Sequence, residues 1–222
     1  MPTWFGFKEI QAGVFVDDEM PQIQQQEFLK TLNVAKNRVT VFFGNSVSKA
    51  KVFACSTEEC FTSHGGLTAR GKTYGASMLL LSPRGLDDVI LSHELAHLEL
   101  CNRIGVWRSM RSVPSWFDEG LAVFVSQDPR YTEQGWLRAT ENGLKAPKLN
   151  EIGQLLDNEN WLLGYGTARK VVGNWYQQVG HAGLMQLIAE VSRGSDFDTS
   201  FQSIARRSSA SNAAPQRDAP HD

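Results

Sequence analysis

The chain has 222 residues, 41% of them apolar, and sets 22 Lys and Arg against 24 Asp and Glu for a formal net charge of −2. That length and apolar content suit one domain, or two lobes around one cleft, and the charge balance offers nothing to attract nucleic-acid phosphates. The sequence shows no secretory leader and no apolar run long enough to span a bilayer. Membrane association is therefore expected only through an anchor upstream of Met1, and the compartment stays open.

In chain order, residues 13–17 predict a short strand and the Gln-rich stretch 21–37 a helix. Two β-branched and aromatic runs, 39–44 and 51–55, predict further strands. Residues 57–73 are loop-like. Cys55 and Cys60 enclose a turn at the strand end, and that spacing fits either a small disulfide or two free thiols. A second zinc site there would need more partners than His64 supplies. The apolar run Tyr74-Gly-Ala-Ser-Met-Leu-Leu-Leu-Ser82, stopped by Pro83, predicts the last strand of this half.

Residues 87–102 predict a helix begun by Asp87 and Asp88, which suit an N-terminus by capping and dipole. Val89, Ile90, Leu91, Leu95, Leu98 and Leu100 make it apolar nearly all round, which is the pattern of a buried helix. Within it stands Ser92-His-Glu-Leu-Ala-His-Leu98, an H-E-x-x-H pentad. His93 and His97, four residues apart, share one helix face with Cβ atoms about 5–6 Å apart, so their imidazoles can converge on one cation. Zinc takes such nitrogens at about 2.0–2.1 Å. Glu94, rotated roughly 100° from His93, can reach a water beside the metal without being forced to ligate it. Polar groups in a buried helix need a partner, and zinc is that partner. Cys101 shares the face of His97 but lies about 6 Å further along the axis, too far for the same ion. Arg103, Arg108 and Arg111 form a small basic cluster, read as a solvated loop.

Residues 113–125 predict a second buried helix, with Pro114 early and Trp116, Phe117, Leu121, Ala122, Phe124 and Val125 along it. Asp118 and Glu119 point about 100° apart on it, so at most one readily faces the metal. Further helices are expected over 132–142, 168–179 and 183–192, with a short turn near 150–156. From Arg206 to residue 222 the composition turns to Ser, Ala, Pro, Asn and Asp, and a disordered tail is expected. His64, His181 and His221 lack motif context and read as non-ligands.

His93-Glu-Leu-Ala-His97 followed by Trp116-Phe-Asp-Glu-Gly-Leu-Ala122 resembles the gluzincin clan, the metallopeptidases that hold zinc with two His and a Glu. The similarity in element order spans residues 14–205, but only these two segments are specific. The resemblance implies Glu119, not Asp118, as the third ligand and one Zn2+ per chain. It implies an α+β, zincin-like domain over 1–205. A small mixed sheet with a helix would form an N-terminal lobe (about 10–86), the metal helix (87–102) would lie at the cleft, and a mostly helical lobe would follow (113–205).

The activity implied is hydrolysis of peptide bonds in a peptide or protein substrate by metal-activated water, with Glu94 as general base. Tyr165, in Leu163-Gly-Tyr-Gly-Thr-Ala168 just ahead of a helix, resembles the clan's oxyanion donor; closing the cleft or packing the lobe is the other role open to it. Tyr131 and Tyr176 are weaker candidates. Strand 74–82 resembles the exposed edge on which substrates pair in this clan. The sequence departs from the clan in three places. It lacks the Gly-x-Met-Glu-Asn segment of aminopeptidases, so exopeptidase specificity does not carry over. The linker from His97 to Glu119 is longer than theirs, which an insertion near 103–113 would absorb. Where thermolysin-like enzymes orient a His with an Asp one turn after the ligand Glu, this chain has Val123, so the partners of the His ligands stay unassigned. Two other readings remain: a catalytically silent zinc-binding scaffold, and a hydrolase of a non-peptide amide.

Overall fold

The computed structural model describes residues 6–156 and 159–213. The fold is α+β: a small mixed sheet of five strands and a larger helical part. The strands are β1 (Phe7–Gln11), β2 (Val14–Asp17), β3 (Lys51–Ala54), β4 (Gly71–Tyr74) and β5 (Met78–Leu81), in the order β1-β2-β3-β5-β4. The interior pairs β2–β3 and β3–β5 are parallel, and the outer pairs are antiparallel. Side chains alternate between faces along each strand. Val14, Val16, Val52, Ala54, Leu79 and Leu81 accordingly join the main core, while Phe53 and Leu80 face a smaller one with Phe7, Cys55 and Phe61.

Helix α1 (Gln22–Phe43) covers the main face through Phe28, Leu32, Ala35, Val39 and Phe43. This corrects the strand expected over 39–44. A strand would put residues 39, 41 and 43 on one face, whereas a helix groups 39 with 43 and turns 41 away. Val39 and Phe43 are buried and Val41 is 73% exposed. Continuation of the buried stripe thus overrides β propensity.

The loop expected over 57–73 contains two elements instead. Helix α2 (Glu58–Ser63) is capped by Thr57, whose side chain accepts from Cys60 N, and β4 closes the segment. Cys55 and Cys60 are disulfide-bonded. The expected strand 74–82 is in fact the turn and second strand of a β4–β5 hairpin. Because β5 pairs with β3 and β4 on its two sides, it has no free edge for a substrate; the edge strand beside it is β4, and β1 lies at the opposite edge.

Helix α3 (Asp88–Ile104) starts where Asp87 accepts from Val89 N and Ile90 N. A Gly105 turn, with φ of 94°, leads into α4 (Val106–Ser112), a helix where a loop was expected. Next come α5 (Ser115–Ser126), α6 (Glu133–Ala139), α7 (Leu149–Leu156), α8 (Trp161–Ser192) and α9 (Phe197–Ala213). The two helices expected over 168–192 form one element that begins earlier and is kinked at Gly180. Trp116, Phe117, Trp175, Phe197 and Phe201 build an aromatic cluster where α5, α8 and α9 meet.

The last helix corrects the expected tail: residues 206–213 are helical. Gln178 donates to Ala205 O and Ser209 Oγ, and Ser208 Oγ donates to Gln178 O, tying this end of α9 to α8. The rest of that tail, His221 included, lies outside the described residues. Among the described residues, no helix is long and apolar enough to cross a membrane.

Candidate metal centre

Helix α3 is packed against β4, α1, α5 and α8. Its His93 and His97 face Glu119 on α5, and the two helices are held in register from the far side. There the Arg38 guanidinium on α1 donates to Ser92 Oγ and Asp88 O of α3 and to Ser126 O of α5, and pairs with the Asp88 carboxylate at 2.6 Å. Behind Glu119, Gly120 permits α5 to touch α8. A Cβ there would stand 2.6 Å from Ala168 O, so the glycine of the Glu-Gly pair is a packing requirement rather than a ligand.

The donor atoms converge. His93 Nε2 lies 3.0 Å from His97 Nε2, and Glu119 Oε2 lies 3.2 Å from the first and 3.5 Å from the second. A tetrahedral ion with ligands at about 2.0–2.1 Å separates them by about 3.3–3.4 Å, and the observed separations of 3.0–3.5 Å bracket that span. Glu119 Oε2 is buried and without a hydrogen-bond partner. Such an atom is costly to fold away unless something neutralises it. Among the described residues, no fourth His, Cys, Asp or Glu joins this cluster, and its remaining side opens into a cleft of about 1040 Å³.

The charges fit the same reading. Burial lowers the pKa of His97, but the carboxylates of Asp118 and Glu119 outweigh it and hold the imidazole well above its ordinary value. Burial would raise Glu119, yet the imidazoles of His97 and His93 outweigh that and hold it far below the ordinary carboxylate range. For Glu94, burial dominates over its His neighbours and raises the carboxyl. This suits a group that must take up a proton and release it.

Three site residues emerge that the sequence left unassigned or undervalued. Asp118 Oδ1 sits 2.8 Å from His97 Nδ1; with the proton on Nδ1, this contact aims the Nε2 lone pair at the trio. The pair needs the crossing angle of α3 and α5 to be known, which no linear spacing reveals, although an acidic residue beside Glu119 was the available signal. Gly71 on β4 lets the edge strand run against Glu94, where a Cβ would come within 2.7 Å of Glu94 Cγ. Tyr131 is buried in the cleft wall, stacked on Tyr165 at 5.6 Å, with its hydroxyl pushed up to about 12, chiefly by burial.

Tyr165 itself lines the cleft, from the first turns of α8 rather than from a turn ahead of a helix. Trp161 meets both tyrosines edge-on. Tyr176 packs instead on Phe42 and Phe124. Cys101 lines the cleft but stands outside the trio. His181 lies beside Gly44. His64 clusters with Cys55 and Cys60, whose disulfide leaves no thiolate to ligate.

No protein-family model matches the chain, and no curated protein sequence matches it.

Proposed function

We propose that the chain is a gluzincin-like, zinc-dependent peptidase in which a zincin-like arrangement of sheet, metal helix and helical lobe frames one cleft. The observation that supports this most is the open donor trio of His93, His97 and Glu119 with the raised Glu94 carboxyl beside it. A zinc ion held by the three would supply Lewis acidity to a substrate carbonyl and acidify water at its open position. Glu94 accepts the proton of the attacking water and returns it to the leaving amine. Asp118 keeps His97 in the ligating tautomer. Tyr131 and Tyr165, the phenols of the cleft wall, are two of the donors lining the cleft that a developing oxyanion could use, and the raised value of Tyr131 keeps its proton in place.

The free edge of β4 runs along the same cleft, which favours an extended chain added as a further strand over a compact non-peptide amide. A purely structural zinc site is normally closed by four protein donors, which this cluster lacks among the described residues. The test is Glu94→Gln, assayed on an unstructured protein and a peptide library. Zinc content stays that of wild type while turnover falls by roughly 10²–10⁴-fold; hydrolysis at the wild-type rate refutes the mechanism.

A further inference from the structure

Helix α4 stands at one end of the cleft and buries none of its 7 residues. Trp107 and Met110, three residues apart and so neighbours on the helix surface, are 74% and 77% exposed. Arg108 and Arg111 share the helix. The Arg111 guanidinium lies over the Trp107 ring at 5.6 Å, and Arg108 donates to Ser192 O of α8. Neither arginine has an ion-pair partner among the described residues, and residues 105–116 contain no acidic side chain. A chain of net charge −2 therefore concentrates unpaired positive charge and exposed apolar surface on one short projecting helix.

We propose that α4 is a peripheral docking element for the surface of an anionic phospholipid bilayer. Trp107 and Met110 enter the interface, and Arg108 and Arg111 meet the headgroups. Trp is favoured at that boundary because its ring is apolar and its N–H polar. Arginine rests its stem along apolar surface while its charge stays at the phosphate level. Binding of an interfacial helix scales with the apolar area it buries and with its attraction to anionic lipids, and α4 offers both. A protein partner is the weaker match: a specific interface buries about 800 Å² on each side, far more than two side chains on a convex helix offer.

Docking has a consequence for the cleft that rests on the peptidase reading, whereas the docking itself does not. Val106, Ser109 and Met110 also line the cleft, and Val106 sits beside Gly75 at the end of β4. A bilayer under α4 would bring the cleft mouth to the membrane surface, where substrates would be segments emerging from it.

The experiment is flotation of the full chain with phosphatidylcholine vesicles, with and without phosphatidylglycerol. The wild type floats with the anionic vesicles, stays behind with the neutral ones, and is released by high salt. Arg108→Gln with Arg111→Gln weakens partition by roughly fivefold per arginine, and Trp107→Ser with Met110→Ser abolishes it. Circular dichroism and melting unchanged from wild type show that these exposed substitutions leave the fold intact. Failure of the wild type to float, or equal flotation of the Trp107/Met110 variant, overturns the proposal. So does a concentration-dependent dimer that Trp107→Ser dissociates, without vesicle binding. None of these readouts involves hydrolysis, so they stand apart from the peptidase test.

Discussion

Two faces of α3 meet a carboxylate in opposite ways. On one, Glu99 is only 1% exposed and its oxygens are saturated. They accept from Ser46 Oγ, Val47 N, Ser48 N and Arg103 Nε at 2.8–3.1 Å, pinning the chain after α1 to the helix. On the other, Glu119 reaches in from α5 with a buried Oε2 that has no hydrogen bond and lies 3.2 and 3.5 Å from two imidazole nitrogens. The same functional group is saturated with donors in one place; in the other it keeps one buried oxygen without a hydrogen bond while the side chain as a whole is 25% exposed at the cleft. Saturation suits a structural role; the buried oxygen without a donor beside two ring nitrogens is the feature on which the proposed cation site rests. The gap is local: beside it Asp118 bonds His97 and Arg38 bonds Ser92, Asp88 and Ser126 across the helices.

Substitutions should separate the two carboxylates. Glu99→Ala strands Arg103 and three further donors and should cost about 3–5 kcal/mol, read from chemical denaturation. Its folded fraction should still take up one zinc. If stability is unchanged, Glu99 is not the clamp its contacts describe. Gly71→Ala pushes a Cβ into the flexible Glu94 side chain and not into backbone, so melting should move little while turnover drops by about 10²-fold. Full activity in that variant would mean that the approach of β4 to Glu94 is incidental. Asp118→Asn should weaken zinc affinity by about 10–100-fold in a competition titration with a chelator, with the fold intact.

The smallest effect is in pH. In the metal-free chain, His97 has a raised folded value, so its stabilisation is fully present below the unfolded imidazole value of about 6.5. It is lost as pH rises through the folded value. Glu119, depressed, contributes above the ordinary carboxylate range and loses that contribution as pH falls toward its folded value. Zinc requires the imidazole unprotonated, so uptake should release protons and tighten as pH rises, while the metal-free fold weakens over the same rise. Parallel pH trends for the two would contradict the arrangement.

The α+β character of the fold and the grouping of His93, His97 and Glu119 were legible in the sequence. Helix α3 declared itself through its Asp87 cap and its all-round apolar pattern, and the His spacing placed both imidazoles on one face. Glu119 followed from its motif. What escaped the sequence did so for physical reasons. Strands β1 and β4 are short and lie at the sheet edges, with mostly part-exposed residues and no apolar alternation to see. Val39 and Phe43 look like strand residues until the stripe they share with Phe28, Leu32 and Ala35 is traced. Residues 206–213 have a polar composition, but they extend a helix already anchored by Phe197 and Ile204. The Asp118–His97 contact depends on how two helices cross, and α4 was hidden because short basic stretches usually belong to solvated loops.

The most direct test is metal analysis of purified wild type beside Glu119→Ala and Asp118→Ala, each prepared with zinc in excess and then dialysed. The account predicts one zinc per wild-type chain, loss in the Glu119 variant, and retention at weakened affinity in the Asp118 variant. A wild type without zinc, or a Glu119 variant that holds it as tightly as wild type, would contradict it.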